Sequence, residues 1–255
     1  MIVIQKGAAP PDLVRAGKEH ARELCAAYEA NPEIYRSGVQ KMVIRATIYQ
    51  SVKPELEACH HGKCCYCETP LDANSEVEHW RPKSKYYWLA YSWDNLLYSC
   101  SFCNKKKLHQ FPLADPAARA THHGMSIDDE TPEILKPDGG KDPRDHIEFH
   151  GDRPEGRTPL GRKTIEVLGL DSPKHGLRSR HLAKIGVEHA VCVLYSVSTD
   201  LEKRHSAETS RKFIEEAVFP DKPYSAMVAA YLEANPLPEP AAERIESTGG
   251  ATTAS

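Results

Sequence analysis

The sequence predicts an α+β, mostly helical protein: a small metal-pinned core near the middle, flanked by helical N- and C-terminal regions. Three observations carry that reading. Two Cys-x-x-Cys pairs, Cys64/Cys67 and Cys100/Cys103, bracket the middle of the chain. Apolar residues recur at helical spacing before residue 60 and after residue 160. Between them lies a stretch dense in Cys, Trp, Tyr and Lys that holds all three tryptophans, at 80, 88 and 93. With 255 residues, 40% apolar and 27% charged, the chain can build a real core as one large domain or two small ones.

Taken in order, residues 11–30 place Leu13, Val14, Ala16, Leu24, Ala27 and Tyr28 on one face behind Pro10 and Pro11, an amphipathic helix. A second helix is expected over about 39–49 and a third over 54–59, with Pro54 suited to a first turn. Together these form an N-terminal helical region, 1–62, ahead of a core spanning 63–112. Residues 114–161 are rich in Pro, Gly and Asp and read as turns, loops and short strands. Helical signals return at 163–168, 177–195, 208–218 and 224–234, closing a C-terminal region of 113–235. Residues 236–255 have the composition of a disordered tail. No apolar run reaches eighteen residues, and Met1 to Lys6 turns polar too soon for a secretory leader, so a cytoplasmic protein without a membrane span is expected.

Clustered cysteines without a leader argue for metal rather than disulfides. Two residues between ligands let one turn present both sulfurs to a tetrahedral ion, so Cys64, Cys67, Cys100 and Cys103 are candidate ligands of a structural Zn2+, with Cys65 as spacer. A redox dithiol or two buried pairs are the alternatives. Four protein thiolates close a zinc site, so any chemistry must sit in the loop between the pairs. Cys25, Cys59 and Cys192 are expected as buried apolar fillers, and the His60/His61 and His122/His123 pairs as surface or loop.

The net charge of −3 does not announce a nucleic-acid partner. A local patch does: Arg81, Lys83, Lys85, Lys105, Lys106 and Lys107 fall in one 27-residue window with a single acid, Asp94. Such a window suits phosphates, or is simply a solvated basic face. The aromatic residues of the same stretch are expected mainly to pack, since a small metal module has little core of its own.

The loop opens with Glu78-His79-Trp80-Arg81-Pro82-Lys83 and closes with Trp93-Asp94-Asn95-Leu96; Cys100-x-x-Cys103-Asn104-x-x-Lys107 follows on an expected helix from about Ser101. Singly, each of these residues has an ordinary structural explanation. As an ordered set framed by four cysteines they resemble the HNH nuclease family, of the zinc-bearing ββα-metal kind, over Lys63 to Phe111. Many members carry Asp where this chain has Glu78 and His where it has Asn104; both replacements offer an oxygen ligand. Further stretches, Met1 to Lys6, Trp88-Leu89-Ala90-Tyr91 and Trp93-Asp94-Asn95-Leu96, are similar to the HNH effectors of Septu and retron-associated anti-phage systems. That resemblance implies a PtuA-like ATPase partner and a role in defence.

What the resemblance implies for the site is a metal-dependent endonuclease acting on DNA or RNA. His79 would be the general base, Glu78 and Asn104 the oxygen ligands of a catalytic Mg2+ or Mn2+, and Asn95 the residue that braces the hairpin or orients His79. Arg81, Lys83 and Lys107 are candidate phosphate contacts. An imidazole with an ordinary pKa near 6.5 suits the base, and oxygen donors suit a hard cation. Geometry sets a condition: neighbours on a regular strand face opposite ways, so Glu78 and His79 can serve one metal only at a strand end or bulge. A non-catalytic zinc module that binds nucleic acid or a partner protein is the competing expectation.

Overall fold

The computed structural model describes residues 1–33, 46–72 and 75–239. Helix α1, Pro11–Ala30, starts on a proline whose missing N–H would be unsatisfied at a helix start anyway. Its buried residues Leu13, Gly17, His20, Leu24 and Tyr28 recur every three or four positions. At Gly17 a β-carbon would stand 3.0 Å from Cβ of Tyr91, so this glycine allows α1 to approach the core closely. Helix α2 runs from Ala46 to Cys59 and contains Pro54. The two helices expected here, 39–49 and 54–59, are therefore one from Ala46 onward, while 39–45 lie outside the described residues. Proline removes one backbone donor, and the burial of Val52 and Leu56 on either side of it holds the helix together.

The central unit is an antiparallel hairpin followed by a short helix. Strand β1, Glu76–His79, pairs with β2, Leu96–Ser99, in the register Glu76↔Ser99, Val77↔Tyr98, Glu78↔Leu97 and His79↔Leu96. Helix α3, Ser101–Lys107, starts with Cys100 Sγ accepting from the Cys103 N–H. All four residues of β2 are buried because the strand separates two cores. Leu97 faces a cluster with Cys64, Cys67, Cys103, Trp80, Tyr86, Phe111 and Leu168. Leu96 and Tyr98 face the other, with Leu13, Leu24, Tyr28, Val52, Leu56, Tyr87 and Tyr91. Most of the aromatic residues pack as expected: Trp80 meets Phe111 edge-on at 4.9 Å and donates from Nε1 to the Leu135 carbonyl at 3.1 Å.

Residues 113–146 wrap this unit as loop, and a second hairpin follows, β3 (Ile147–His150) with β4 (Arg153–Gly156). Helix α4, Pro159–Leu168, is capped by the Thr158 hydroxyl and ends at Gly169, whose φ of 58° favours glycine. Gly161 is also fixed by space, since a β-carbon there would lie 1.9 Å from the His146 carbonyl oxygen. Helices α5 (Gly176–Tyr195), α6 (Leu201–Ala217) and α7 (Ser225–Ala234) share a third cluster, with Ile185, Ala217, Met227 and Val228 buried. Helix α6 starts seven residues before the expected 208 because Asp200 accepts the Glu202 and Lys203 N–H groups, capping a first turn too polar to show periodicity. Of the expected disordered tail, 240–255 lie outside the described residues.

All four paired histidines lie in loop, as expected, but two of them are held by partners. His60 is not at the surface: it is 1% exposed, contacts the Leu56 carbonyl through Nδ1 at 2.6 Å and accepts the Tyr98 N–H at Nε2. His123 is half-buried, bridging the Tyr87 hydroxyl at 2.7 Å and Glu29 at 3.0 Å.

Candidate active site and zinc centre

The four expected cysteines converge. One sulfur from each of Cys64, Cys67, Cys100 and Cys103 lies within 4.8 Å of all the others, and Cys67 and Cys100 stand 3.8 Å apart. A tetrahedral zinc with sulfur at about 2.3 Å requires sulfurs about 3.8 Å apart, so the donor set fits Zn2+. Donation from Cys103, Cys64 and Cys67 holds the Cys100 thiol far below its ordinary range. The knuckle 63–69 is also a fastening point. Glu68 is buried against the Met1 ammonium at 2.6 Å, Lys63 at 3.4 Å and the Ser225 hydroxyl at 3.0 Å. Lys63 in turn donates to the Pro220 and Lys222 carbonyls, each at 2.6 Å. Its zinc would hold both the hairpin and the approach to α7.

On β1 the alternation is unbroken. Glu78 is buried on the face of Leu97 and α3, where its Oε1 meets Lys107 Nζ at 2.6 Å and the Tyr66 hydroxyl at 3.4 Å. Burial pushes its pKa up and the Lys107 ammonium opposes that rise. His79 faces the other way, into the α1–α2 cluster. Its Nε2 lies 3.0 Å from the Ala90 carbonyl and 3.0 Å from the Tyr49 hydroxyl, with the Tyr49 ring edge-on at 5.1 Å. A carbonyl only accepts, so Nε2 carries the proton and Nδ1 is the basic atom. Burial, then Lys83, push this imidazole down to about 3, not the ordinary value expected of the base: it is neutral at working pH but a weaker base than a free imidazole. His79 does end its strand, but no bulge re-aims either side chain. The reason is β2, whose two faces are both committed to core and fix the register. Glu78 and His79 thus do not converge on one point, which weighs against their sharing one ion.

Asn95 spans the loop between the strands. Its Oδ1 accepts the Arg81 N–H at 2.7 Å, and its Nδ2 donates to the Arg81 carbonyl at 2.9 Å and the Leu89 carbonyl at 3.2 Å. With the Trp80 N–H on the Asn95 carbonyl at 3.0 Å, this one residue continues the ladder beyond β1. Asn104, half-buried on α3, donates from Nδ2 to Glu76, leaving Oδ1 without a hydrogen bond among the described residues. Glu76 lies two positions before Glu78 and so shares its face. Oxygen donors Glu76, Glu78 and Asn104 together suit Mg2+ or Mn2+ better than zinc. Glu76 escaped the sequence reading although the alternation of β1 pointed to it; Tyr49 had no signal, being brought in by the fold.

The basic window divides. Lys107 is fully buried and donates to the His79 carbonyl at 2.8 Å as well as pairing with Glu78. Arg81 is buried in an ion pair with Glu130, which also accepts from the Tyr86 hydroxyl and the Ala120 N–H. Each of these two candidate phosphate contacts is paired with a buried carboxylate, which weighs against either meeting phosphate. Lys83, Lys85, Lys105 and Lys106 are the exposed cations, and Lys83 Nζ sits 5.4 Å from the centre of the Tyr49 ring.

A four-cysteine knuckle, a two-stranded hairpin and a short helix make up the HNH ββα-metal core, and the HNH endonuclease family model matches residues 64–110. The surrounding chain is similar to Septu protein PtuB of Bacillus mycoides (strain KBAB4), 31% identical over 216 residues, 70% of this chain and 72% of that relative. It is also similar to Septu protein PtuB of Bacillus thuringiensis, 34% identical over 123 residues, 47% of this chain and 41% of that relative. The chain belongs to the PtuB family.

Proposed function

We propose that the chain is a metal-dependent endonuclease that hydrolyses phosphodiester bonds in nucleic acid, DNA or RNA, as the nuclease effector of an anti-phage defence system acting with a PtuA-like ATPase. The observation that carries this reading is the neutral His79, whose Nε2–H is tied to the Ala90 carbonyl so that Nδ1 can accept a proton. Family membership and the HNH match support the reaction class. No described helix is long and apolar enough to cross a membrane.

In this reading Nδ1 of His79 takes the proton of the attacking water, a general-base role worth typically 10²–10⁴-fold. Glu78 and Asn104 hold Mg2+ or Mn2+, with Glu76 as a further oxygen donor on the same face. The bound cation would neutralise the phosphate and stabilise the leaving 3′ oxygen. Lys107 compensates the buried charge of Glu78, and Asn95 keeps the strand ends together. Because His79 terminates β1, the phosphate must lie across that end to meet groups from both faces. Lys83 stands on the His79 side, with the exposed lysines as candidate contacts for the backbone.

A second reading, a non-catalytic zinc module that binds nucleic acid or a partner, is favoured by the opposed directions of Glu78 and His79. Cleavage of plasmid DNA, single-stranded DNA and tRNA in Mg2+ or Mn2+, with and without the ATPase, separates the two. The nuclease reading expects cutting by the wild type that His79→Ala abolishes. The binding reading expects Cys64→Ser to destroy binding while His79→Ala, and Glu78→Ala where it remains folded without its ion pair to Lys107, leave function intact.

A further inference from the structure

We infer that Tyr49, contributed by the N-terminal helix α2 outside the HNH module, is a positioning residue for His79. The inference rests on the nuclease reading of that histidine. Two groups meet at one carbonyl. The Tyr49 hydroxyl donates to the Ala90 oxygen at 3.0 Å, His79 Nε2 reaches the same oxygen at 3.0 Å, and the hydroxyl and Nε2 are themselves 3.0 Å apart. With the hydroxyl proton given to the carbonyl, the Tyr49 oxygen is left as an acceptor, so Nε2–H lies between two acceptors, that oxygen and the Ala90 carbonyl. The alternative tautomer, protonated at Nδ1, would turn the Nε2 lone pair toward the Ala90 oxygen at 3.0 Å, a repulsive contact. The carbonyl therefore chooses the tautomer, and Tyr49 fixes the imidazole against it.

Tyr49 is itself well held. Its ring stacks on Tyr91 at 5.6 Å and 23°, while meeting the His79 ring edge-on at 5.1 Å and 82°. On its open side it carries the Lys83 ammonium at 5.4 Å from the ring centre. One side chain thus sets the direction of Nδ1 and steadies a cation beside it. The HNH module supplies the base, and the N-terminal region supplies the wall that aims it. An isolated 63–112 fragment would lack that wall.

The test uses the full chain with zinc bound. In the wild type, long-range ¹H–¹⁵N spectra at pH 7.5 should show His79 wholly as the Nε2–H tautomer. Tyr49→Ala, by letting the ring swing away from the Ala90 carbonyl, should mix the two tautomers and, in multiple-turnover cleavage with the proposed ATPase partner present, lower kcat about 10- to 100-fold with KM nearly unchanged. Tyr49→Phe keeps the ring and loses only the hydroxyl, so most of the rate should return. An unchanged tautomer in folded Tyr49→Ala overturns the inference, as does a rate loss with no change in the His79 signals. If the wild type does not cut at all, the nuclease reading fails while the spectra still decide the role of Tyr49.

Discussion

At the level of single residues, buried charge decides most of what surrounds β1. Lys107 and Glu78 are 0% and 3% exposed and 2.6 Å apart, so neither is a free surface group. Removing one partner of such a pair leaves an uncompensated buried charge, typically worth 3–5 kcal/mol. Lys107→Met should therefore destabilise the fold by about 3 kcal/mol in urea titration, and adding Glu78→Gln should recover a good part of the loss. A neutral single variant would mean that the buried pair adds nothing to stability. His60 offers a pH test at a buried group outside the proposed base and ligands. Burial lowers its pKa to about 4, so the folded state resists a proton that the unfolded chain takes up near 6.5. Stability is then full above pH 6.5 and falls with pH down to about 4. Between pH 7.5 and 5 the wild type should lose about 2 kcal/mol more than His60→Gln, read from denaturation at each pH.

At the level of elements, the zinc knuckle and the hairpin carry the site. A structural zinc of this kind contributes on the order of 10–16 kcal/mol of folding free energy near pH 7. Because Lys63 and Glu68 fasten the loop before α7 and its first residue Ser225, chelation should unfold more than the hairpin. Hydrogen exchange after zinc removal should show lost protection in β1, β2 and Ser225–Ala234 together; retained protection in α7 would separate the two. This junction could not be read from sequence, since it depends on contacts spanning more than 150 positions. The cysteine pairs could be, because ligand spacing is local chemistry. Helices α1, α5 and α7 were legible from periodicity, whereas the first turn of α6 was not, its start being set by one Asp200 cap. Asn95 was expected to brace the hairpin and does hydrogen-bond across it. The faces of Glu78 and His79 were not foreseen, because they follow from β2 being buried on both sides.

At the level of the whole molecule, a slightly acidic chain presents four exposed lysines, 83, 85, 105 and 106, around the HNH core. Arg81 and Lys107 looked equivalent to them in sequence, and only the fold reveals the carboxylates, Glu130 and Glu78, that consume them. Each lysine that meets a duplex phosphate contributes about 0.9 to the slope of log affinity against log salt. Replacing all four with alanine should lower that slope by about 3 to 4 in fluorescence anisotropy. Arg81→Ala should instead show up as lost stability with the slope unchanged. The N-terminal region meets the core at Tyr49 and the C-terminal region meets it at the knuckle, so the module works as part of the full chain. The proposed function depends most on His79 being the base of a metal-dependent phosphodiester hydrolysis. The most telling measurement is the single-turnover cleavage rate of folded, zinc-loaded His79→Ala against wild type, in Mg2+ with the proposed ATPase partner present. A fall of at least about 100-fold is expected, and equal rates in the two proteins would contradict the account.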